Sequence, residues 1–315
     1  MKRTKVSVIG SGFVGSTTAN LLAEKGLCDI VLLDVIEGVP LGKALDIQES
    51  SSIIGFESKV VGTNNYTDTK NSDIVVITAG VARKPGMSRD DLIGINAKIM
   101  HSVVKEVKKH SPDAILIVVS NPLDAMVYIA KKVSNFPKNK VIGMAGVLDS
   151  ARFKSFISME TGFASKNINA MVLGGHGDDM VPLSRYANIE GVPISELLSD
   201  EKIKQIELRT RKGGAEIVEL LKTGSAYFAP AASIVLMVES IILDRKMILP
   251  VAAWLEGEYG FNDMFMGVPV VLGRNGVEKI IELTLLDSEK QALDKTAKNV
   301  IELSATAEKI IKDLN

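Results

Sequence analysis

One short segment near the start of the chain restricts the fold more than any other. An apolar run leads directly into Gly10, Gly12 and Gly15, and nineteen positions after the last of these glycines a second apolar run ends at Asp34. This pattern predicts a strand, a tight turn, a helix and a second strand tipped by a carboxylate. Gly10 permits the turn, Gly12 leaves room for a pyrophosphate, and Gly15 lets helix and sheet pack closely. The helix N-terminus then favours phosphate, so we predict a dinucleotide site here.

Asp34 indicates which dinucleotide binds. A carboxylate at this strand end accepts hydrogen bonds from an adenosine ribose and repels a 2′-phosphate, and neither Val35 nor Ile36 supplies a cation to offset that repulsion. A glycine motif alone is weak, because turns need glycine anyway. The preceding strand, the following helix and the acid at this spacing together predict NAD as the cofactor.

Composition excludes several kinds of partner. The formal net charge of −1 argues against a nucleic-acid binder, which usually carries a basic excess. Cys28 is the only cysteine, so no internal disulfide can form, and cytosol is the natural default. The most hydrophobic later stretch, residues 229–243, contains Glu239 and is too short to cross a bilayer. We therefore expect a cytoplasmic protein, mature from Met1, without a membrane or nucleic-acid partner.

The order of apolar patterns predicts the fold class. Short β-branched runs alternate with longer amphipathic stretches, such as residues 13–25, in the first half of the chain, which predicts a doubly wound parallel sheet with helices on both faces. After about Gly146 the alternation gives way to helical patterns, such as residues 200–221, to fewer strands, one of them expected over residues 169–173, and to a terminal helix over residues 288–313. We predict an α/β protein with an NAD-binding domain over residues 1–146 and an α+β catalytic domain over residues 147–315.

Two polar segments follow predicted strands of the first domain. Arg83, Lys84 and Arg89 lie in a glycine-containing segment directly after one strand, and Asn121 and Pro122 follow the next. Such cations are often only solvated surface charge, and Asn-Pro is a common turn. Loops at the carboxyl ends of parallel strands, however, lie over the ligand cleft. A substrate-binding function is therefore open for both segments.

Two further segments belong to the second domain. Asp149 and Arg152 stand three residues apart on a predicted helix. Either Asp149 caps the helix and Arg152 is solvated, or both side chains lie on one face and project into the cleft. His176 lies among glycines after a predicted strand, where its ring can be presented to a ligand and can exchange a proton near neutral pH. His101 and His110 occur in a lysine-rich helical pattern and are expected to face solvent.

Taken together, these motifs resemble the NAD-dependent malate dehydrogenases of the lactate-dehydrogenase-like group. The resemblance covers essentially the whole chain in order and implies a Rossmann fold for the first domain. Its specificity comes from the combination of segments rather than from any one of them. The matching segments are residues 10–15, 82–92, 119–124, 146–153, 174–178, 223–227 and 267–269.

The resemblance implies a role for each polar residue. His176 matches the base that takes the hydroxyl proton of a 2-hydroxy acid, and Asp149 matches its partner carboxylate. Arg152 matches the residue that binds the substrate 1-carboxylate in a bidentate pair. Arg89 matches the residue that polarises the reacting carbonyl, and Asn121 matches a hydrogen-bond partner of the substrate oxygen.

The resemblance also implies the substrate and the cofactor contacts. Arg83 stands where lactate dehydrogenases of this fold typically carry Gln, so it is expected to bind the second carboxylate of malate or oxaloacetate, which pyruvate lacks. No metal is expected. The cofactor-binding residues implied are Gly10, Ser11, Gly12, Phe13, Val14, Gly15, Asp34, Asn96, Val119, Ser120 and Asn121.

Three other functions remain open at this point. The first is a lactate dehydrogenase or another 2-hydroxy acid dehydrogenase of the same fold, against which Arg83 argues. An NAD-dependent glycosidase needs a metal-binding Cys and His, and Cys28 has no His nearby in sequence. A non-catalytic nucleotide sensor would not need the histidine, acid and arginines described above. The resemblance further implies a homo-oligomer, with a tetramer expected and a dimer as the alternative.

Overall fold

A nine-stranded sheet forms the centre of the protein. The structure, a computed structural model, describes residues 3–81 and 89–314, with the backbone alone at residues 89 and 90. Six parallel strands come from the first half of the chain, as the alternating apolar pattern predicts. They are β1 (Lys5–Ile9), β2 (Asp29–Leu33), β3 (Val60–Thr63), β4 (Ile74–Ile77), β5 (Ile115–Val118) and β6 (Val141–Gly143).

Strands from the second half of the chain extend this sheet. Five short strands form two small separate sheets: β7 (Ile168–Asn169), β8 (Val172–Leu173), β9 (Val181–Pro182), β10 (Asn188–Ile189) and β11 (Val192–Pro193). An antiparallel meander then joins the main sheet: β12 (Met247–Glu256), β13 (Asn262–Gly273) and β14 (Gly276–Ile280). The resulting order is β14-β13-β12-β6-β5-β4-β1-β2-β3. Ala252 of β12 pairs with Gly143 of β6, where a Cβ on the glycine would lie 2.8 Å from the alanine Cβ.

Eight α-helices of the described residues pack around the sheets. They are α1 (Phe13–Lys25), α2 (Val39–Ile54), α3 (Arg89–His110), α4 (Leu123–Ser134), α5 (Gly146–Thr161), α6 (Asp200–Leu221), α7 (Phe228–Ile242) and α8 (Asp287–Leu314). In the part of the chain that the structure describes, no helix combines the length and apolarity needed to span a membrane.

The sheet separates two apolar cores because successive side chains of a strand point to opposite faces. Val8 of β1 belongs to the core that also contains side chains of α1, α2 and α7, whereas Ile9 belongs to the core that contains side chains of α3, α4 and the end of α8. This two-faced burial is the doubly wound arrangement that the sequence predicts. The fold class is therefore confirmed, while the boundary between residues 146 and 147 stays a prediction.

Two details differ from the sequence-based expectations. Residues 169–173 form parts of two short strands rather than one. The prediction that His101 and His110 face solvent is wrong: His101 is 7% exposed and the His110 side chain 12%. α3 packs against both α4 and α8, so less of its surface than expected meets water. His110 Nε2 lies 3.4 Å from a Glu106 carboxylate oxygen one turn earlier.

Candidate active site

The glycine turn between β1 and α1 has the shape that the sequence predicts. Gly10 has φ +102°, and a Cβ there would lie 2.7 Å from the Ala79 nitrogen. A Cβ on Gly15 would come within 1.8 Å of the Gly10 carbonyl oxygen, whereas a Cβ on Gly12 would meet nothing within 4 Å. The protein itself therefore requires Gly10 and Gly15. Gly12 leaves open space before the first turn of α1, which begins at Phe13, and this is the space that a pyrophosphate needs.

The carboxylate of Asp34 is held beside this turn. Its Oδ2 accepts hydrogen bonds from the Ser11 N–H at 2.6 Å and the Ser11 hydroxyl at 3.0 Å, and its Oδ1 accepts from the Ile36 N–H at 3.1 Å. Partial burial acts to raise the pKa of Asp34, but these donors outweigh it and the net pKa is lowered. An ionised carboxylate next to an open glycine turn fits the ribose end of NAD.

Two residues that the sequence analysis did not single out support the same turn. The Thr78 hydroxyl donates to the Gly10 carbonyl at 2.9 Å, and Lys43 Nζ of α2 donates to the Ser11 carbonyl. Thr78 follows β4 directly, and that position is the signal that could have pointed to it.

Asn96 of α3 and Ser120 after β5, both predicted to contact the cofactor, form hydrogen bonds within the protein. Asn96, 2% exposed, accepts from the Val81 N–H at 2.8 Å and donates to the carbonyls of Val81 and Asn121 at 3.1 and 2.6 Å. The Ser120 hydroxyl donates to the Ala79 carbonyl at 2.5 Å. These bonds join the two strand ends, while Asn121 itself is exposed.

Val119 and Val14 are half-buried, and Phe13 is exposed and stacks on Tyr227 at 5.2 Å. Their contacts with a cofactor stay predictions, as do those of Asn96, Ser120 and Asn121.

One buried carboxylate connects the second group of predicted residues. Asp149, 2% exposed, lies in the first turn of α5 and does not cap it, because the helix begins at Gly146. Its Oδ1 accepts from Arg152 Nη1 at 3.2 Å, and its Oδ2 lies 2.8 Å from His176 Nδ1. Since a carboxylate can only accept, Nδ1 carries the proton and Nε2 is left with its lone pair.

The loop that carries His176 is shaped by close packing. Gly174 has φ +96° and exchanges two backbone hydrogen bonds with Gly267 of β13, at 2.9 and 3.0 Å. A Cβ on Gly174 would lie 2.8 Å from Thr296 Cγ2, and one on Gly175 would lie 2.7 Å from a methyl group of Val300. The glycines around the histidine thus bring its backbone against β13 and α8.

The charges around His176 decide its protonation. Burial of the ring acts to lower the pKa of His176, but the charge and hydrogen bond of Asp149, joined by the charge of Asp124, outweigh burial. Arg152 acts in the opposite direction. The net pKa of His176 is raised, as suits a group that alternates between base and acid near neutral pH.

Arg152 lies where glycines make room for it. Its side chain is 13% exposed, and a Cβ on Gly213 of α6 would lie 3.1 Å from its Cδ. Arg152 Nε is buried and has no hydrogen-bond partner among the described residues. The Gly213-Gly214 pair was not predicted to matter, although two adjacent glycines inside a helical pattern are an available signal.

The remaining two predicted arginines are not placed. Arg83 lies outside the described residues, and Arg89 begins α3 but its side chain is not described. Their proposed contacts stay predictions.

Comparison with known proteins gives the family. Residues 4–143 match the model described as lactate/malate dehydrogenase, NAD binding domain, and residues 146–312 match lactate/malate dehydrogenase, alpha/beta C-terminal domain. The chain belongs to the lactate/malate dehydrogenase family. Membership confirms the predicted family and the predicted cofactor, NAD, and it removes the glycosidase alternative.

Relatives in this family are similar over nearly their full length. A protein named malate dehydrogenase from Heliobacterium modesticaldum is 57% identical over 305 residues, which are 97% of this chain and 99% of the relative. One of the same name from Bacillus cytotoxicus is 57% identical over 302 residues, 95% of this chain and 97% of the relative.

Solved structures of the family have nearly the same fold. The apo malate dehydrogenase of Picrophilus torridus superposes with a TM-score of 0.97 at 46% identity and covers 100% of both chains. A lactate dehydrogenase of Cryptosporidium parvum, complexed with lactic acid and nicotinamide adenine dinucleotide, reaches 0.95 at 44% identity and covers 98% of this chain and 99% of that one. Likeness of fold therefore extends to enzymes named for either substrate.

Proposed function

We propose that this protein is an NAD-dependent malate dehydrogenase, which reversibly oxidises (S)-malate to oxaloacetate. The observation that carries the proposal is the buried Asp149 carboxylate, which holds both His176 and Arg152. A histidine oriented in this way can move a hydroxyl proton, and an arginine beside it can bind the carboxylate of a 2-hydroxy acid. Relatives at 57% identity that are named malate dehydrogenase support the same activity.

The proton transfer is assigned to His176. In the oxidation, Nε2 takes the hydroxyl proton while the C–O bond becomes a carbonyl, and Asp149 stabilises the imidazolium that forms. The Gly10–Gly15 turn and Asp34 would hold NAD, which would supply a hydride acceptor for the hydrogen on the same carbon. In the reduction, the imidazolium returns its proton to the carbonyl oxygen. The raised pKa of His176 favours this protonated form.

Substrate orientation is assigned to Arg152. One of its terminal nitrogens donates to Asp149, so the guanidinium is held in one orientation before the substrate arrives. Its partly desolvated charge is then matched by the 1-carboxylate of the substrate. We further propose that Arg89 polarises the reacting carbonyl and that Asn121 binds its oxygen.

The choice between malate and lactate is assigned to Arg83. A cation that faces the far end of the substrate is paired by the second carboxylate of oxaloacetate and left unpaired by the methyl group of pyruvate. The likeness to a lactate dehydrogenase structure makes this the alternative that an experiment has to exclude.

A substrate panel tests the proposal. NADH consumption is followed with oxaloacetate, pyruvate and phenylpyruvate, in the wild type, in Arg83→Gln and in Arg209→Gln, whose exposed arginine pairs with Glu216 on α6. We expect kcat/KM to favour oxaloacetate over pyruvate by about 10³-fold in the wild type, and this ratio to fall only in Arg83→Gln. Equal efficiency with pyruvate would refute the malate assignment, and an unchanged ratio in Arg83→Gln would refute the role of Arg83.

We also propose that the protein acts in the cytoplasm, in the tricarboxylic acid cycle, and that its domain boundary lies between residues 146 and 147. For the assembly we propose a homotetramer, with a dimer as the alternative. Exposed apolar side chains on α2, including Leu41, Leu45 and Ile53 at 49%, 60% and 88%, support self-association. Light scattering after size-exclusion chromatography tests it, and a monomer at micromolar concentration would refute it.

A further inference from the structure

Two consecutive N–H groups of the histidine loop are fixed by side chains from distant elements. The Gly175 N–H donates to the Thr296 hydroxyl of α8 at 3.0 Å, and the His176 N–H donates to Asp124 Oδ2 of α4 at 2.9 Å. Both acceptors are buried, with Thr296 at 0% and Asp124 at 4% exposure. The position of the His176 backbone is therefore set by a buried carboxylate other than Asp149.

The charge of Asp124 is not required by that hydrogen bond alone. A neutral amide oxygen could accept the same N–H, and Asp124 Oδ1 is buried with no hydrogen-bond partner among the described residues. Burying a half-satisfied carboxylate is unfavourable unless a nearby positive charge compensates for it. Among the described residues, the group that can become positive and that acts on the charge of Asp124 is His176.

We propose that Asp124 is a positioning residue of the proposed dehydrogenase reaction, which fixes the backbone of His176 and, as a second carboxylate besides Asp149, stabilises its imidazolium. The inference rests on the proposed function. Asp149 contacts the ring through Nδ1, whereas Asp124 contacts the backbone of the same residue.

The surrounding charges agree with this arrangement. Burial raises the pKa of Asp124 to about 6, with His176 acting to lower it and Asp149 and Asp179 acting to raise it. Above that pH the carboxylate is ionised and favours a positive ring. Arg152 disfavours the imidazolium, so Asp149 and Asp124 together offset one arginine at this histidine.

Three variants separate charge from hydrogen bonding. Asp124→Asn keeps an acceptor for the His176 N–H and removes the charge. Thr296→Val removes the neighbouring acceptor without a change of charge. Asp179→Asn removes a half-buried carboxylate of the same loop, which Asn299 holds at 2.6 Å.

The first measurement is the pH dependence of kcat/KM in both directions. With Asp124→Asn we expect kcat to fall about tenfold and KM for NADH to stay unchanged. Because the pKa of His176 is expected to fall, the acid limb of the pH profile of malate oxidation and the alkaline limb of the pH profile of oxaloacetate reduction should both move to lower pH. Thr296→Val is expected to lower kcat without moving either limb, and Asp179→Asn to move the limbs less than Asp124→Asn does.

The second measurement needs no turnover. The His176 ring is titrated by nuclear magnetic resonance in the wild type and in Asp124→Asn, where its pKa is expected to fall. If oxaloacetate is not reduced but the ring titration shifts, the proposed function fails and the effect of Asp124 on His176 stands. If turnover is normal and neither the limbs nor the ring titration move, the inference fails alone. Should Asp124→Asn not fold, Asp124→Ser takes its place with the same expectations.

Discussion

Replacing Asp149 by Asn removes one of two acceptors that the site needs. In the wild type, one carboxylate oxygen accepts from Arg152 Nη1 at 3.2 Å and the other from His176 Nδ1 at 2.8 Å. An amide has one acceptor oxygen and one NH₂ group of donors. In Asp149→Asn, one of the two partners must therefore face a donor.

The loss of activity in Asp149→Asn depends on which of the two partners, Arg152 or His176, faces the NH₂ group. The guanidinium is always charged, so the amide oxygen is expected to face Arg152 and the NH₂ group to face the ring. Nδ1 must then accept, the proton moves to Nε2, and the tautomer is wrong for a base. Restoring the active tautomer is expected to cost about 4 kcal/mol, so kcat for malate oxidation should fall about 10³-fold.

The same substitution predicts a pH dependence of stability. Because the folded-state pKa of His176 is raised, its pairing with Asp149 stabilises the fold fully below the ordinary histidine pKa of about 6.5. That contribution is lost as the pH rises through the folded-state pKa. The deficit in Tm of Asp149→Asn is therefore expected to be larger at pH 6 than at pH 9.

Steady-state NADH formation from malate, NADH binding by fluorescence and thermal unfolding at the two pH values make up the assay. Glu216→Gln, which breaks the exposed pair with Arg209, is the matched control and should leave all three unchanged. A loss of less than about tenfold in kcat, together with an equal Tm deficit at both pH values, would refute the reasoning.

Three further predictions concern the predicted NAD-binding domain and its contact with α7. Because Asp34 is ionised beside the turn, NAD(H) should be preferred over NADP(H) by at least about tenfold in kcat/KM, and equal efficiency would contradict that role. Gly12→Ala should keep the wild-type Tm and weaken NADH binding, whereas Gly15→Ala should lower Tm, because only the second Cβ meets backbone; calorimetry and titration separate the two. Glu239→Gln should destabilise the protein by about 1–2 kcal/mol in urea unfolding, since the 10% exposed side chain pairs with two cations, whereas Glu216→Gln should not.

Helices with clear boundary residues were predictable from the sequence. The expected bounds of α1, residues 13–25, and of α6, residues 200–221, are those observed. α1 ends at Gly26 with φ +67°, and the Ser199 side chain accepts from the Lys202 N–H at the start of α6. Such signals are local, so one sequence suffices to read them.

Helix α7 was not predictable in the same way. Ten of its fifteen residues are buried, including Glu239 and two serines, so its mostly apolar sequence does not separate a polar face from an apolar one. The exposure of His101 and His110 was predicted wrongly for a related reason, since the lysines of α3 reveal one solvated face but not what covers the others.

The residues of the candidate site were likewise predictable only where a local motif marks them. His176, Asp149 and Arg152 stand in motifs that the sequence displays, and the structure brings them together. Asp124 and Thr296 hold the histidine loop from 52 and 121 residues away along the chain, and no local pattern marks them as partners. Their role follows from topology, which places the start of α4 and the middle of α8 against the loop.

The hydrogen bonds that carry the sheet from β6 to β12 couple the two halves thermodynamically. Gly143 and Ala252 pair across the predicted boundary, and one apolar core contains Val8 of the first half together with Leu173 and Met266 of the second. A ligand that binds only the native state adds its binding free energy to every segment that unfolds with its site. Dinucleotide bound at the Gly10–Gly15 turn is therefore expected to slow amide hydrogen exchange in the part of β13 that holds the histidine loop, since this strand shares its sheet and core with the turn.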